Sequence, residues 1–169
     1  MFERYTEPAR RALFFARYEA TLLGAAAIES EHILLGVIRG SDAVVGRILV
    51  DAGMSYQGVR KHIDEVTKTR PRSKIPTSVE MPFTEETKRV LKYAAEEADR
   101  LVHRQIGTEH LLLALLRERG AIAERSLAQH LFDQEIYRHR DRNGSQCPIP
   151  HTTLRERLKR AREAGLLPS

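Results

Sequence analysis

Two Glu-His pairs are the residues of this sequence whose types and spacing could do chemistry. Glu31-His32 and Glu109-His110 each stand directly before a leucine-rich run, 78 residues apart. A carboxylate can pair with a cation or ligate a metal, and an imidazole can transfer a proton or ligate zinc. Neither pair has the H-E-x-x-H spacing of a helical zinc site, so we expect the histidines to be structural. The two carboxylates are therefore the chemical groups of interest.

The flanking residues place both carboxylates at helix starts. Ser30 and Thr108 are N-cap residue types, which predicts Glu31 and Glu109 at the first helical position. An acid there complements the helix dipole, and this structural role alone could explain both glutamates. The same helix end also offers free backbone N–H groups and a hydroxyl, which suit a phosphate. A ligand with both a guanidinium and a phosphate, such as a phosphorylated arginine, would suit the whole arrangement.

The remaining reactive residues form no recognisable catalytic centre. Cys147 and His151, with His139 upstream, could be drawn as a metal cluster, but their spacing fits no compact metal motif. The sequence has no phosphate-binding loop, no dinucleotide fingerprint and no nucleophile elbow. A hydrolase is a weak alternative, because no nucleophile has a base at a recognisable spacing. We therefore predict no enzymatic activity, no cofactor and no metal.

The Glu-His pairs belong to an internal repeat. At an offset of 78, residues 6–39 align with residues 84–117 without a gap, and 14 of the 34 positions are identical. Alanine and leucine, with one valine in the second copy, recur at i, i+1, i+4, i+8 and i+11, which is the apolar stripe of an amphipathic helix. Thr6 and Thr84 stand where the N-cap of that helix would be. The repeat therefore predicts a duplicated helical unit.

Glycines and prolines divide each copy into four helices. After the first helix, the predicted helices begin at Ser30 and Thr108, then cover about 43–52 and 121–131, and finally about 56–68 and 133–142. The predicted fold is all-α, with two pseudo-symmetric four-helix repeats in one globular domain and an extra C-terminal helix. The predicted divisions are a first repeat over 1–68, an exposed linker over 69–83, a second repeat over 84–142 and a basic extension over 143–169.

Composition points to a globular protein of the cytoplasm. Hydrophobic residues make up 41% of the 169 residues, which is enough to form a core. No apolar run is long enough to cross a membrane, and the N-terminus lacks the pattern of a secretory signal. The single cysteine, Cys147, excludes an internal disulfide framework and agrees with a reducing compartment. We therefore predict a cytoplasmic location without a membrane partner.

The net charge of +5 is concentrated near the C-terminus. Residues 136–169 contain 8 Lys or Arg against 3 Asp or Glu, so this segment carries the whole excess. A solvated helix face gives the same count, and we favour that interpretation. The alternative is nucleic-acid binding, which lacks the support of interleaved aromatic residues. The basic residues concerned are Arg138, Arg140, Arg142, Arg155, Arg157, Lys159, Arg160 and Arg162.

Three segments carry a resemblance to a known family, namely "MFERYTEPARRAL", "MPFTEETKRVL" and "IGTEHLLLALLRE". They resemble, in turn, the opening, the start of the second repeat and the signature helix of the Clp N-terminal domain of the Clp/Hsp100 unfoldases, most closely that of the ClpC group. The resemblance covers about residues 1–140. It implies a platform that binds substrate or adaptor proteins and delivers them to a Clp ATPase and the ClpP peptidase.

The resemblance also implies a ligand and the residues that bind it. Domains of the ClpC type bind phosphoarginine through the signature glutamate of each repeat and through hydroxyl residues at helix starts. Carried over to this sequence, these residues are Glu31 and Glu109, Ser30 and Thr108, and as further candidates Thr6 and Thr84. The chain ends at Ser169 without ATPase modules, so we expect a stand-alone protein that acts as an adaptor, a decoy or a regulator.

The two copies of the signature are not equal. The second reads Ile-Gly-Thr-Glu-His at 106–110, whereas the first reads Ile-Glu-Ser-Glu-His at 28–32, so that Glu29 replaces a glycine. A second negative charge should repel a phosphate, and a side chain should hinder close approach to the backbone. We therefore predict that Glu109 belongs to the better phosphoarginine site and Glu31 to a weakened or repurposed one.

Overall fold

The computed structural model describes residues 2–73 and 80–128, and the regular elements of these ranges are all α-helices. The helices are α1 (Glu7–Leu22), α2 (Ser30–Gly40), α3 (Ala43–Asp51), α4 (Tyr56–Thr67), α5 (Glu85–Arg100), α6 (Thr108–Arg117) and α7 over 122–128. The all-α repeat fold predicted from the sequence is confirmed. The predicted helix over 133–142 and the basic extension lie outside the described residues.

The threonines at the two repeat starts cap their helices as predicted. The Thr6 hydroxyl accepts a hydrogen bond from the backbone N–H of Ala9 at 3.3 Å, and the Thr84 hydroxyl accepts one from Thr87 at 3.2 Å. Each hydroxyl thus satisfies one of the free N–H groups of a helix start. The stripes of small and aliphatic residues on α1 and α5 are buried, and they face α2 and α6 respectively.

The first copy packs α1 and α2 at very close range. A Cβ atom added to Gly36 of α2 would lie 2.1 Å from the carbonyl oxygen of Ala12 in α1, which real Cβ atoms do not do. Glycine therefore permits the backbone contact between α1 and α2. The corresponding residue of the second copy is Ala114, which stands 78 positions later. The packing of α5 on α6 is thus not an identical copy of the packing of α1 on α2.

A buried glutamate ties the helices of each copy together. Glu19 of α1 is fully buried, and its carboxylate accepts hydrogen bonds from Arg39 at 2.5 Å and Arg60 at 2.6 Å. These arginines belong to α2 and α4, so one carboxylate links three helices. In the second copy Glu97 takes the same place and pairs with Arg117 at 3.1 Å. The corresponding pairs Glu19–Arg39 and Glu97–Arg117 thus have a structural role, because removing the arginine would leave a buried carboxylate less well compensated.

The two copies are interlocked through their loops. The backbone N–H of Ile28 donates to Pro82 at 2.8 Å, and the carbonyl of Ile28 accepts from Thr84 at 3.1 Å. The corresponding exchange joins Ile106 to residues 4 and 6, with lengths of 2.8 and 3.0 Å. Helices α2 and α6 also contact each other directly. Each signature helix therefore begins beside the first helix of the other copy.

The predicted exposed linker is wrong at its C-terminal end. Met81 is buried, with 6% of its surface exposed, and Phe83 forms a backbone bridge with Ile28. The reason is that this segment forms the entry to α5 and pairs with the first copy. Residues 69–73 are largely exposed, and residues 74–79 lie outside the described ranges.

The described residues bear on one further prediction, and two others fall outside them. No helix in the ranges 2–73 and 80–128 is long and apolar enough to cross a membrane. The basic residues considered for nucleic-acid binding, and the drawn cluster of His139, Cys147 and His151, all lie outside those ranges.

Candidate functional site

The signature helices begin one residue earlier than the sequence predicts. Their N-caps are Glu29 and Gly107, both in extended backbone conformation, while Ser30 and Thr108 are the first helical residues. The prediction that Ser30 and Thr108 cap these helices, with the glutamates in the first helical position, is therefore wrong. Both hydroxyl residues are fully buried.

The histidine of each Glu-His pair explains this shift. The His32 Nδ1 atom accepts a hydrogen bond from the backbone N–H of Glu29 at 2.9 Å, and His110 Nδ1 accepts one from Gly107 at 2.8 Å. Each imidazole thus reaches back from the third helical position to the N-cap residue, as the acid does in a capping box. Burial lowers the pKa of both histidines to about 4, so the rings are neutral and keep Nδ1 as an acceptor. The repeated histidine is a capping residue.

A cluster of possible metal ligands surrounds the second histidine. His103, Glu109 and His110 bring their ligating atoms within 4.8 Å of one another. Because His110 Nδ1 accepts from Gly107, the ring proton belongs on Nε2, which lies 3.1 Å from His103 Nδ1 and donates to it. Both nitrogens of His110 are then engaged, and coordination would require breaking the helix cap. The geometry favours a hydrogen-bonded pair of histidines over a metal centre.

Both signature carboxylates are buried rather than displayed at a surface. Glu31 is 2% exposed and Glu109 is 4% exposed. Burial raises the pKa of Glu31 to about 7, with a further rise from Glu29 and an opposing effect of Arg70. Burial also raises the pKa of Glu109 to about 7. A hydrogen bond from the backbone N–H of Glu109 lowers this pKa, and the charge of Asp42 raises it further. A carboxylate that titrates near neutral pH is a functional-site candidate, because a simple dipole-compensating acid would stay ionised.

In the first copy, the carboxylate contacts an arginine of the same chain. Arg70 Nη1 donates to Glu31 Oε1 at 2.8 Å and also contacts the carboxylate of Glu29. A cavity of ≈ 380 Å³ adjoins these groups, and we call it the first cleft. Its polar lining consists of Glu29, Glu31, Arg70, Thr84, Glu86 and Arg125.

In the second copy, the corresponding carboxylate lies over a glycine. A Cβ atom at Gly107 would lie 2.1 Å from Glu109 Oε2, so the glycine provides space for the carboxylate itself. The hydroxyl of Thr108 donates to Asp42 Oδ2 at 3.3 Å, and Asp42 Oδ1 accepts from the backbone N–H of Val45 at 2.9 Å. We call this group of Gly107, Thr108, Glu109 and Asp42 the second entrance. It brings a second acid close to the signature glutamate.

The structure brings the predicted residues together in pairs that cross between the copies. Thr84 lies in the first cleft with Glu31, although it begins the second copy. Thr6 donates its backbone N–H to Ile106, three residues before Glu109. Ser30 lies beside Glu31, with its hydroxyl 3.4 Å from Glu31 Oε2. The first cleft is thus lined by residues of both copies, and in the second set Thr6 is joined by its backbone to the loop before α6. The repeat pattern does not reveal this arrangement.

Sequence reasoning missed four charged residues of these sites. Arg70, Glu86 and Arg125 line the first cleft, and Asp42 belongs to the second entrance. Asp42 could have been found, because an aspartate just before a predicted helix is an N-cap signal. Arg70 belongs to a basic, proline-containing stretch that reads as a linker, and Arg125 lies in a helical pattern. Nothing in the sequence marks either of them as a site residue.

Comparisons with known proteins agree with this architecture. A family model for the Clp repeat (R) N-terminal domain matches residues 4–136. The chain is 41% identical over 133 residues to an ATP-dependent Clp protease ATP-binding subunit ClpA homolog of Guillardia theta, covering 79% of the chain and 16% of that protein. It is 42% identical over 127 residues to the chloroplastic chaperone protein ClpC1 of Oryza sativa subsp. japonica, covering 75% of the chain and 14% of that protein.

Solved structures show the same fold. The N-terminal domain of the ClpD chaperone of Arabidopsis thaliana superposes with a TM-score of 0.58 at 26% identity, covering 78% of the chain and 96% of that domain. The Hsp104 N-terminal domain of Candida albicans superposes with a TM-score of 0.60 at 18% identity, covering 85% of the chain and 94% of that domain. The chain thus matches whole N-terminal domains, while it spans about a sixth of the full-length relatives. With two repeats, the signature helices and a family match over most of its length, the chain belongs to the Clp repeat (R) N-terminal domain family.

Proposed function

We propose that this chain is a non-enzymatic protein-recognition module of the Clp unfoldase and protease system. It binds substrate or adaptor proteins and acts as an adaptor, a decoy or a regulator toward a Clp ATPase and its ClpP peptidase. Family membership supports this role, because Clp N-domains are substrate-binding modules of Clp unfoldases. The cytoplasmic location stays a prediction, since relatives such as the ClpC1 of Oryza sativa are chloroplastic.

The observation that carries the proposal is a buried, titratable carboxylate at the start of each signature helix, beside the first helix of the other copy. A guanidinium can pair with such a carboxylate in a geometry that a surface acid would not enforce. The neighbouring helix start supplies backbone N–H groups and a threonine hydroxyl, which are phosphate ligands. Phosphoarginine carries both groups on one side chain, so it is the ligand that we propose.

The second entrance is the site that we assign to this ligand. Glu109 and Asp42 together provide two carboxylates, which complement a positive guanidinium and oppose a phosphate. The phosphate would then point away from them, toward Thr6 and the N-terminal N–H groups of α1. Thr6 is half-buried and therefore reachable from solvent. In this arrangement the hydroxyl of Thr108, which is buried and directed at Asp42, orients the acid rather than contacting the phosphate.

Calorimetric titration of the whole chain with free phosphoarginine tests this assignment. Glu109→Gln keeps the volume of the side chain and removes its charge, so we expect at least a roughly tenfold loss of affinity, equivalent to about 1.4 kcal/mol. Glu31→Gln is the matched control and should change affinity much less. Equal losses in both variants would contradict the asymmetry, and no binding by the wild-type chain would contradict the ligand.

The place in the Clp system has a separate test. The tagged chain, used as bait with a purified Clp ATPase, should retain the ATPase or change its degradation of an arginine-phosphorylated substrate with ClpP. An adaptor would accelerate degradation of that substrate, whereas a decoy would slow it. If the chain neither binds the ATPase nor alters degradation, the proposed role is wrong.

A further inference from the structure

The first cleft already contains a guanidinium. Arg70 Nη1 contacts both Glu29 and Glu31, with a distance of 2.8 Å to Glu31 Oε1. Glu31 is almost completely buried, whereas 45% of the Arg70 side chain is exposed. The arginine thus enters the cleft from the solvent side and reaches the buried carboxylate. This is the approach that the side chain of an external ligand would have to use.

The backbone holds Arg70 in position for this contact. Its N–H donates to Thr67 at the end of α4, with a length of 2.9 Å. Three residues later, Ser73 donates to the carbonyl of Gly24 at 2.6 Å, which fastens the segment to the loop between α1 and α2. The arginine is therefore placed between two fixed points, while its exposed side chain can change rotamer without moving them.

Two sequence features of this chain accompany the contact. Glu29, which replaces the glycine of the second copy, supplies the second carboxylate that contacts Arg70. Arg70 follows the first repeat, in the segment over 69–83, and lies outside the residues that align between the copies. The extra acid of the first copy thus has its partner in the segment next to that copy. One arginine that contacts both Glu29 and the buried Glu31 indicates a built contact rather than a chance surface ion pair.

We propose that Arg70 is an internal ligand of the first cleft, which blocks external guanidinium groups until it is displaced. This inference rests on the proposed function in one respect only, namely that the signature carboxylates recognise a guanidinium. Glu31 Oε1 accepts from Arg70, and an external guanidinium would compete for the same oxygen. The fraction of molecules in which Arg70 has left the cleft therefore scales the apparent affinity of the site. In the resting protein Arg70 blocks the first cleft, so the second entrance is the one functional site that we propose.

Methylguanidinium is a suitable probe, because it tests the cleft without any phosphate. Titration of the whole chain is followed by the backbone amide NMR signals of residues 29–31. In Arg70→Ala we expect binding at least roughly tenfold tighter than in the wild type, because the probe replaces the missing guanidinium. Arg72→Ala is the matched control, since Arg72 is a similarly exposed neighbour that pairs with Asp64 at 2.8 Å, and this variant should bind like the wild type.

A double variant distinguishes the removal of the Arg70 side chain from damage to the fold. Adding Glu31→Gln to Arg70→Ala should abolish the new binding, and the thermal transition of each variant reports its folding. With phosphoarginine, wild type should bind at one site and Arg70→Ala at two. Equal methylguanidinium binding by wild type and Arg70→Ala would overturn the inference, whether or not Glu109 binds phosphoarginine. If the wild type bound no phosphoarginine at Glu109, and the methylguanidinium results were as expected, only the proposed function would be contradicted.

Discussion

The first cleft and the second entrance show how a duplicated site can diverge through the residue before the signature serine or threonine. At the second entrance, Gly107 leaves room for the Glu109 carboxylate above the backbone. In the first cleft, Glu29 occupies that position, and the Glu31 carboxylate pairs with Arg70. Both glutamates keep a pKa of about 7, because burial dominates in both places. The comparison teaches that the fold preserves the buried acid in both copies, while the charged groups around it differ.

The largest effect that we expect concerns the pH dependence of stability. A folded-state pKa of about 7 against 4.5 in the unfolded chain means that folding retains a proton on Glu109 between these values. Stability is therefore lost as the pH rises from 4.5 to 7, by about 3 kcal/mol for this residue. Glu109→Gln should remove that loss and be more stable than the wild type at pH 8, as measured by urea unfolding at pH 5 and pH 8.

Glu31→Gln makes this experiment a comparison between the copies. The substitution leaves Arg70 beside Glu29 but without its partner at position 31, so the gain at pH 8 should be smaller than that of Glu109→Gln. The two capping histidines contribute with the opposite sign, because their lowered pKa favours the folded state as the pH rises from 4 to 6.5. That contribution is common to wild type and both variants. A gain from Glu31→Gln as large as that from Glu109→Gln would show that Arg70 is irrelevant to Glu31.

The capping histidines provide the next effect. His110→Ala should cost about 2 kcal/mol, because it removes the cap of α6 and the hydrogen bond to His103. His32→Ala removes the corresponding cap of α2 and should cost about 1 kcal/mol. Chemical denaturation of both variants measures the difference. If the order were reversed, the contact between His103 and His110 would not contribute to stability.

Substitution of the glycine tests the steric basis of the comparison. Gly107→Ala places a Cβ atom where the Glu109 carboxylate lies, so the carboxylate must rotate away. We expect phosphoarginine affinity to fall roughly tenfold, which corresponds to about 1.4 kcal/mol, with a smaller loss of stability because a flexible side chain can move. Gly46→Ala in α3 is a control with more space. Unchanged affinity in Gly107→Ala would show that the position of the carboxylate above Gly107 is not required for binding.

The smallest effect concerns the turn after the first helix of each copy. Gly24 has a φ angle of 68°, and its counterpart Val102 keeps a left-handed φ of 57° although it is β-branched. Val102 is 89% exposed, so its side chain contributes little packing. Val102→Gly should therefore stabilise the chain by about 0.5–1 kcal/mol, as relief of strain outweighs the entropy of glycine. Gly24→Val should destabilise it, and a thermal shift assay measures both changes.

The sequence was sufficient for the fold, because the helix signals and the repeat agree with the tertiary packing. Thr6 and Thr84 cap their helices as predicted, and each copy buries its predicted stripe except for Leu101 of the second copy, which is exposed. The starts of α2 and α6 were predicted one residue late, because serine and threonine are stronger cap signals than a histidine that reaches back from the third helical position. The local signal thus identified the helix end but not the group that caps it.

The site was less predictable, because its parts come from distant segments. The repeat pattern singled out Glu31 and Glu109, but it predicted neither their burial nor that Thr84 lines the same cleft as Glu31. Arg70 stands 39 residues from Glu31 in a stretch without periodicity, so only the fold brings the two together. Whether these residues bind a ligand remains a prediction for the experiments above.

The exchange of loop hydrogen bonds between the copies also has an evolutionary consequence. Ile28 pairs with the entry to α5, and Ile106 pairs with the entry to α1, so neither half contains both partners of these hydrogen bonds. A single ancestral copy could have formed them only in a homodimer, with two identical sets related by symmetry. Fusion of two such copies would have made assembly independent of protein concentration and freed each half to mutate alone. Only after that step could Glu29 and Arg70 arise in one site without being imposed on the other.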